Sequence, residues 1–280
     1  MNEGEKKYPR FSVLITVYKL EKPEFLDASL ESVEKQTVLP SEIVLVEDGT
    51  LTKDLYNIIK KHSNLFSGVF KVIKLNENCG RGIASAIGLK YVSNNWVARV
   101  DSDDINCTNR FELQLDAILC DPEVSMISGQ INEFEISPSN IVGKRKVPLA
   151  YSEIKKFVRY RSPINNPSVM FKKNDVNRVG GYPHLNVMED YDLCIKFIVN
   201  NLKIINLGNV LVNMRVSTDM YSRRSGLKYV FQYTKLKNKW RKMGIGNWGT
   251  MVISDIAMLL NNLIPSSLRE TIYKNILHKG

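Results

Sequence analysis

Three carboxylates stand close together near the middle of the chain. Asp101, Asp103 and Asp104 directly follow the apolar segment Trp96–Val100. Carboxylates at this spacing repel one another, and they cannot all be buried and ionised unless a cation accompanies them. Hard oxygen ligands of this kind suit Mg2+ or Mn2+, with substrate phosphates completing the coordination. An Asp- and Ser-rich cap on the next helix is the competing interpretation, and the cluster alone leaves both open.

Two further polar clusters follow other apolar segments. Glu47 and Asp48 close the segment Glu42–Val46 ahead of a glycine, which taken alone indicates an ordinary β-turn. The segment Asn76–Gly82 contains Arg81 and two glycines and leads into a run of small residues. Glycine lets the backbone approach a ligand, and arginine suits a phosphate or a base. Together with the first cluster, these residues indicate a site for a phosphorylated ligand.

A fourth feature is the acidic pair Glu189 and Asp190 at the start of an amphipathic segment. Carboxylates in the first turn of a helix are stabilised by its dipole, which is a sufficient structural explanation. The functional alternative is a general base that takes a proton from an acceptor hydroxyl.

The elements that carry the first three clusters repeat one unit, a buried strand followed by a helix. This alternation predicts an α/β fold with a parallel sheet and helices on both faces. In such sheets ligands bind at the carboxyl ends of the strands, where all three clusters fall. The predicted strands are Phe11–Val17, Glu42–Val46, Val69–Leu75 and Trp96–Val100, and the predicted helices are Pro23–Gln36, Lys53–Lys61 and Gly82–Val92.

After Asp104 the alternation becomes less regular. The pattern predicts an irregular stretch over positions 129–150, which are rich in Ser, Asn, Pro and basic residues. Around it we expect helices over Asn109–Cys120 and Glu189–Asn200, and strands over Val124–Ser128, Pro167–Phe171 and Lys203–Val212.

Charge is distributed unevenly along the 280 residues. The net charge is +10, yet residues 221–280 alone hold 11 basic and 2 acidic residues. A basic segment of this kind suits an anionic surface such as lipid head groups or pyrophosphate. The basic residues avoid the predicted sheet and the aromatic residues form no stacking pattern, so nucleic acid is not the expected partner. The four cysteines lack the paired spacing of a zinc site or a disulfide framework.

The basic segment also contains apolar residues at helical spacing, among them Leu227, Val230, Tyr233, Leu236 and Trp240. This pattern predicts an amphipathic helix that lies on a membrane or packs on the rest of the protein. The sequence shows neither a signal peptide nor an uninterrupted apolar run of about 20 residues. We therefore expect a cytoplasmic protein, peripheral on the inner face of the membrane.

The motifs taken together resemble those of family 2 glycosyltransferases, which have the GT-A fold. The matching pieces are Thr16–Tyr18, Val46–Gly49, Asn78–Gly82, Asp101–Asp104 and Glu189–Leu193. The resemblance implies a catalytic domain over residues 1–220, with a nucleotide-binding half at about 10–104 and an acceptor half at about 105–220. Residues 221–280 would form a basic helical extension.

The resemblance also assigns roles to individual residues. A UDP-sugar donor is expected, with Asp48 bonding the uracil, and an Mg2+ or Mn2+ ion at Asp103, Asp104 or both. Asp190, or less favourably Glu189, would be the general base of an inverting transfer. The residues expected to bind the nucleotide sugar are Thr16, Tyr18, Asp48, Arg81, Asp101 and Asp103.

On the acceptor side the chain departs from the family pattern. Many members carry a histidine after the last core strand, whereas here the position has none, and Arg215, Arg223 or Arg224 would take its role toward the diphosphate. Asn166 lies in a Pro/Asn loop expected to contact the acceptor sugar, or to form a plain turn. The segment 212–224 resembles O-antigen and capsule transferases, which implies transfer of Gal or Glc to GlcNAc on a polyprenyl diphosphate.

Two alternatives remain open from the sequence. A sugar-phosphate nucleotidyltransferase can share this fold, but it usually has a glycine-rich loop after the first strand, which Thr16–Leu20 lacks. A non-catalytic binder of anions or nucleic acid is the other alternative. Ligand binding that survives in EDTA, together with no release of UDP from any sugar donor, would favour it.

Overall fold

The computed structural model of the chain, described over residues 7–185, 187–217 and 226–263, is built around one mixed β-sheet. The strands in this range are β1 (Phe11–Tyr18), β2 (Glu42–Asp48), β3 (Phe70–Lys74), β4 (Trp96–Asp101), β5 (Ile105–Asn106), β6 (Val124–Phe134), β7 (Ile141–Arg145), β8 (Met170–Lys172) and β9 (Lys203–Arg215). Their order is β3-β2-β1-β4-β8-β6-β9-β5, and β7 pairs with β6. The first four strands are parallel, and β8 joins β4 and β6 in antiparallel pairing.

Helices cover both faces of this sheet. They are α1 (Pro23–Glu34), α2 (Lys53–Leu65), α3 (Arg81–Tyr91), α4 (Arg110–Cys120), α5 (Tyr151–Phe157), α6 (Lys173–Arg178), α7 (Glu189–Val199), α8 (Leu227–Lys242) and α9 (Trp248–Leu263), with a 3-10 turn at Asn166–Ser168. Successive side chains of a strand point to opposite faces. Accordingly Val13 and Ile15 pack with α1, α2 and α4, whereas Leu14 between them packs with α3 and α7.

The predicted strand–helix units are confirmed up to β4, and each boundary lies within a few residues of its expected place. The prediction of an irregular stretch after position 128 was wrong, because β6 continues to Phe134 and β7 pairs with it. This part of β6 contains buried polar residues, so its sequence lacks the hydrophobic pattern that predicts a buried strand. Gln130 binds the Val147 backbone, and Glu133 pairs with Arg145 at 2.6 Å, so each buried polar group has a distant partner.

The interpretation of the aspartate cluster as a helix cap was also wrong. Helix α4 begins at Arg110, and Asn109 precedes it without a capping side-chain hydrogen bond. Strand β5 lies between the cluster and the helix and pairs with β9. The three aspartates therefore belong to a connection between two strands, β4 and β5, and not to the first turn of α4.

Helix α8 packs on the rest of the protein through its apolar face, for which the sequence left contact with a membrane open. Tyr233, Leu236 and Trp240 are each at most 9% exposed, and Trp240 packs against Tyr191 of α7 with ring centroids 4.4 Å apart. The Trp240 indole donates a 2.8 Å hydrogen bond to Asp192. This confirms the packed alternative for α8 and removes its apolar face as a membrane contact. Within the described ranges, no helix is long and apolar enough to span a bilayer.

Glu42 at the start of β2 provides a test of how the parallel strands are held together. Ser12 Oγ, the Ser93 amide and Lys71 Nζ donate to its carboxylate at 2.6, 2.7 and 3.0 Å. Burial alone would raise the pKa of Glu42, but these hydrogen bonds outweigh it and lower the pKa to about 2. We expect Glu42→Gln to lower the free energy of unfolding by about 2–3 kcal/mol at pH 7, measured by urea denaturation.

The same variant should show a defined pH dependence. Because the folded-state pKa of Glu42 is lowered, its contribution is complete above its ordinary value of 4.5 and is lost as the pH falls toward 2. The difference between wild type and Glu42→Gln should therefore shrink over that interval. Glu77→Gln, at an exposed position, is the control and should leave stability unchanged. A difference that stays constant down to about pH 3 would contradict this account.

Candidate functional site

The carboxyl ends of β1, β2 and β4 bring most of the predicted donor-site residues to one edge of the sheet. In the parallel register Thr16 lies level with Asp101, and Tyr18 lies level with Asp48. Both β1 side chains are half-buried, so each retains an accessible surface at the strand ends. The parallel topology thus assembles residues that lie far apart in the chain.

Asp48 organises the loop that precedes α3. Its carboxylate accepts hydrogen bonds from the backbone amides of Cys79 and Gly80 at 2.7 and 3.0 Å, and from the Asn78 side chain at 3.2 Å. Gly49 has a φ of 86°, and a Cβ there would come within 2.8 Å of the Asn78 nitrogen, so the turn requires glycine. Asp48 therefore fixes the glycine-rich loop, while its predicted contact with uracil stays a prediction.

Asp101 is held from two sides at the end of β4. Arg99, which is 1% exposed, donates from Nη2 to its carboxylate at 3.2 Å and also binds Ser85 of α3. Ser29 of α1 donates to the Asp101 carbonyl at 2.8 Å. The guanidinium of Arg99 also lies 5.8 Å from the ring of Tyr182. Helices on both faces of the sheet thus fix the position of this carboxylate.

The next two aspartates occupy different environments. Asp104 is buried, and its Oδ1 accepts a 2.7 Å hydrogen bond from the backbone amide of Arg215. Asp103 is half-exposed, and burial together with the carboxylates of Glu21 and Asp101 raises its pKa to about 7. Asp104 therefore joins the cluster to β9, and Asp103 is the carboxylate that remains accessible to a ligand.

Arg215 lies beside this cluster at the end of β9. Its guanidinium is sandwiched between the rings of Phe25 and Phe134, with centroids 3.7 and 4.6 Å away. Its Nε donates to the Asp103 carbonyl at 3.2 Å. The structure thus brings a fixed cation to the cluster where the family histidine is absent. Arg223 and Arg224, predicted for the same role, lie outside the described residues.

Arg81 links the two halves of the site. It is the first residue of α3, and its Nε and Nη2 lie 2.7 and 2.6 Å from one carboxylate oxygen of Glu189 in α7. Its Nη1 lies 3.9 Å from Asp101. The Arg81 side chain remains 47% exposed. One guanidinium therefore spans from the aspartate motif to the acidic start of α7, and its exposed part can still meet a phosphate.

The two candidate bases at the start of α7 differ in availability. Glu189 is 1% exposed and held by Arg81, and burial raises its pKa against the effect of that arginine. Asp190 is half-exposed. The preceding Met188 has a φ of 59°, a left-handed conformation that is unfavourable for methionine and turns the chain sharply into the helix. This geometry favours Asp190 as the proton acceptor and Glu189 as the partner of Arg81.

Asn166 lies in the 3-10 turn that packs against β4 and β6. It is 9% exposed, and its side-chain Nδ2 has no hydrogen-bond partner among the described residues. Its neighbour Asn165 donates to the carbonyls of Gly129 and Arg145 and anchors the turn. Asn165 thus anchors the turn, whereas the buried Asn166 amide nitrogen has no partner among the described residues, and its contact with an acceptor sugar stays a prediction.

Comparison with known proteins decides the family. The family model described as Glycosyl transferase family 2 matches residues 12–179, more than half of the chain. This chain belongs to glycosyltransferase family 2. This membership rules out the two alternatives that the sequence left open, a nucleotidyltransferase and a non-catalytic binder. Its mixed sheet with flanking helices is the GT-A fold, and the protein is a glycosyltransferase.

Two relatives match the glycosyltransferase over nearly its whole length. An Escherichia coli protein named UDP-Gal:alpha-D-GlcNAc-diphosphoundecaprenol beta-1,3-galactosyltransferase is 36% identical over 97% of this chain and 98% of its own. The amylovoran biosynthesis glycosyltransferase AmsE of Erwinia amylovora is 33% identical over 94% of this chain and 98% of its own. Among solved structures, the mannosyltransferase PcManGT from Pyrobaculum calidifontis, in complex with GDP-Man and Mn2+, superposes with a TM-score of 0.62 at 17% identity. The match covers 98% of this chain and 82% of the mannosyltransferase, which supports the fold.

Several residues of the candidate site were not indicated by the sequence patterns. Arg99 lies inside a strand whose other residues are mostly apolar and buried, and Glu21 lies in a loop without a recognisable motif. Tyr182 is 5% exposed, and burial raises its pKa to about 12. A charged residue in the middle of a buried strand was the available signal for Arg99, because such a charge requires a partner. Nothing local to Glu21 or Tyr182 indicates their positions.

Gly82 provides a test of the loop that leads to the predicted base. A Cβ at this position would overlap the carbonyl oxygen of Leu185 and come within 3.0 Å of that of Pro183. Because both are backbone atoms, Gly82→Ala must displace the loop and the start of α7. We expect kcat/KM for sugar transfer to fall about 10- to 100-fold. Gly208→Ala, whose Cβ would make only an ordinary 3.8 Å contact, should retain wild-type kcat/KM. Equal activity of the two variants would contradict the proposed packing.

Proposed function

We propose that this glycosyltransferase moves a hexose, galactose or glucose, from a UDP-sugar to a hydroxyl of GlcNAc on a polyprenyl diphosphate carrier. The reaction would serve O-antigen or capsule polysaccharide assembly. The observation that carries the proposal is the Arg81 guanidinium, which joins Asp101 of the donor side to Glu189, the neighbour of the predicted base. The name of the Escherichia coli relative, at 36% identity, supports the donor and acceptor classes.

On the donor side, the predicted nucleotide contacts meet at the ends of β1, β2 and β4. Thr16 and Tyr18 would line the pocket for the uridine, and Asp48 would hydrogen-bond the uracil. Asp101, fixed by Arg99, binds the ribose. Arg81 flanks the nucleotide with its exposed edge. Because these groups are held by the sheet and by α3, the pocket requires little rearrangement before binding.

The chemistry follows from the charges that develop in the transition state. The bond between the anomeric carbon and the diphosphate oxygen breaks, and UDP leaves with the electron pair. The acceptor oxygen forms the new bond from the opposite face, and Asp190 takes its proton. Configuration at the anomeric carbon inverts, so an α-linked UDP-sugar gives a β-glycoside. Arg81 and Arg215 lie where they can stabilise the negative charge on the leaving diphosphate.

A divalent cation fits the aspartate cluster. The pKa of Asp103 is raised because burial and two neighbouring carboxylates oppose its ionisation, and a cation would relieve this repulsion. In the described part of the chain, no group of three or more His, Cys, Asp or Glu side chains is arranged to hold a metal ion by itself. Asp103 would therefore hold Mn2+ or Mg2+ together with the donor diphosphate, whose charge the ion would partly neutralise. Asp104 is already engaged by the Arg215 amide.

The acceptor binds on the α7 side of the site. Asn166, whose buried amide nitrogen has no hydrogen-bond partner among the described residues, is the candidate contact for the acceptor sugar. Arg223 and Arg224, outside the described residues, are candidates for the acceptor diphosphate. A polyprenyl carrier stays in a bilayer, so the enzyme would work at the inner face of the cytoplasmic membrane. We propose that the C-terminal helices provide the peripheral contact.

A donor screen tests this function. Purified enzyme is incubated with a synthetic GlcNAc-diphosphate-lipid and one of UDP-Gal, UDP-Glc, UDP-GlcNAc or GDP-Man, and release of the nucleotide diphosphate is measured with Mn2+, Mg2+ or EDTA. We expect acceptor-dependent release of UDP from UDP-Gal or UDP-Glc, which EDTA suppresses. Turnover of GDP-Man alone, or release that does not depend on the acceptor, would contradict the proposal.

A further inference from the structure

The outward face of α9 is apolar and uncovered in the described structure. Trp248, Val252, Ile253, Ile256 and Leu259 are between 44% and 62% exposed. At about 100° per residue these positions fall on one side of the helix. A contiguous apolar surface of this kind on a folded protein indicates a binding site.

The opposite side of α9 is occupied by α8. Ser254 is 6% exposed, and Asp255 accepts a 3.1 Å hydrogen bond from Thr234 of α8. Asp255 is the one charged residue in positions 248–259, and it is directed toward α8. Helix α8 in turn is buried against α7 through Trp240. The exposed face of α9 is therefore uncharged except for Asp255 at its edge, whose carboxylate is held by α8.

One basic residue of α8 contacts the edge of this face, and two further basic residues of α8 are exposed. The Arg241 guanidinium lies 3.9 Å from the centroid of the Trp248 ring, and Lys235 and Lys242 of α8 are exposed. The segment 221–280 as a whole carries nine more basic than acidic residues. Apolar side chains in the acyl boundary, a tryptophan at its edge and cations near the head groups are the features of an interfacial helix.

We infer that the α9 face binds the surface of an anionic lipid bilayer, with the helix lying in the plane of the interface. This inference rests on the proposed function in one respect, because the enzyme would reach a lipid-linked acceptor at the surface of a bilayer. A protein partner or a second copy is less well matched, because the cations beside the face would have no anionic complement on an identical surface. Because Trp240 of α8 packs against Tyr191 of α7, binding of α9 to a bilayer would also hold α7 near the membrane surface.

Vesicle binding tests the inference directly. The full chain is sedimented with vesicles of phosphatidylethanolamine and phosphatidylglycerol, or of phosphatidylcholine alone. We expect binding to the anionic vesicles, and we expect Val252→Ser combined with Ile256→Ser to weaken it about 10-fold or more. Leu65→Ser combined with Ile136→Ser, which are also exposed but lie far from α9 in the chain, is the matched control and should bind like wild type. Arg241→Gln combined with Lys242→Gln should reduce the preference for anionic lipid.

Tryptophan fluorescence provides a second readout. Trp96 and Trp240 are 6% and 1% exposed, so a shift of emission to shorter wavelength on adding vesicles reports on Trp248. Trp248→Phe should abolish that shift. Wild-type binding by the α9 double variant would overturn the inference, and so would a dimer that this variant dissociates while vesicles are not bound.

The test also separates this inference from the proposed function. With a short-chain, water-soluble acceptor, wild type and the α9 double variant should transfer hexose at equal rates. With a long-chain acceptor in vesicles, only the variant should lose transfer. Absence of transfer to either acceptor would refute the proposed function and leave the vesicle-binding result standing, whereas equal transfer by both proteins in vesicles would refute the role of α9.

Discussion

Asp190→Asn is expected to lower kcat about 100- to 10,000-fold, which is the usual contribution of a general base. The asparagine keeps the shape of the side chain but cannot take the acceptor proton. Asp190 is half-exposed at the first turn of α7, so its replacement leaves no buried group without a partner. The unfolding midpoint and the affinity for UDP should therefore stay near wild type, as measured by thermal denaturation and calorimetric titration.

Glu189→Gln is the matched comparison for this prediction. Glu189 is buried and holds Arg81, so Glu189→Gln weakens the contact that positions this guanidinium and should lower the affinity for UDP as well as activity. The two variants thus separate a chemical role from a structural one in adjacent residues. Near-normal kcat for Asp190→Asn, with a large loss for Glu189→Gln only, would show that the base has been assigned to the wrong residue.

Asp103→Asn is expected to lower transfer by about 1000-fold or more, because it removes the accessible carboxylate that would hold the cation. The same substitution should raise the stability of the folded protein. Burial and neighbouring carboxylates raise the folded-state pKa of Asp103 from 3.8 to about 7, so its ionised form destabilises the folded protein. In EDTA, the variant should therefore unfold at higher urea than wild type, and the difference should grow between about pH 4 and pH 7.

Asp104→Ala separates the two aspartates. Its carboxylate accepts a partly buried hydrogen bond from the Arg215 amide, and loss of that acceptor should cost about 1–3 kcal/mol of stability. Activity should fall in proportion to the displacement of Arg215. If Asp103→Asn retained turnover while Asp104→Ala lost it without loss of stability, the cation would belong to Asp104, and the distinction drawn between the two environments would be wrong.

The sequence was sufficient for features that arise from local patterns and chain topology. Continuous apolar runs such as Phe11–Val17 predict buried parallel strands, and parallel strands bring the residues at their ends to one edge. Thr16, Asp48 and Asp101 could therefore be grouped without coordinates. Their order along the chain also carried the resemblance to the family, because each motif follows a predicted strand.

Pairings between distant residues could not be predicted in this way. Arg81 and Glu189 lie 108 positions apart, and Asp104 and Arg215 lie 111 positions apart. Each of these residues has an ordinary local pattern, and only the folded chain reveals its partner. For α8, the hydrophobic spacing indicated that one face is buried but carried no information on whether protein or lipid covers it. The packing of Trp240 on Tyr191 shows that this face is covered by α7.

The configuration of the product tests the central claim most directly. The enzyme is incubated with UDP-α-galactose and a GlcNAc-diphosphate-lipid, and the isolated product is examined by NMR and by digestion with a β-galactosidase. Single displacement with Asp190 as the base predicts a β-linked galactose on the GlcNAc, sensitive to the β-galactosidase. An α-linked product, or free galactose and UDP with no glycoside formed, would contradict the account.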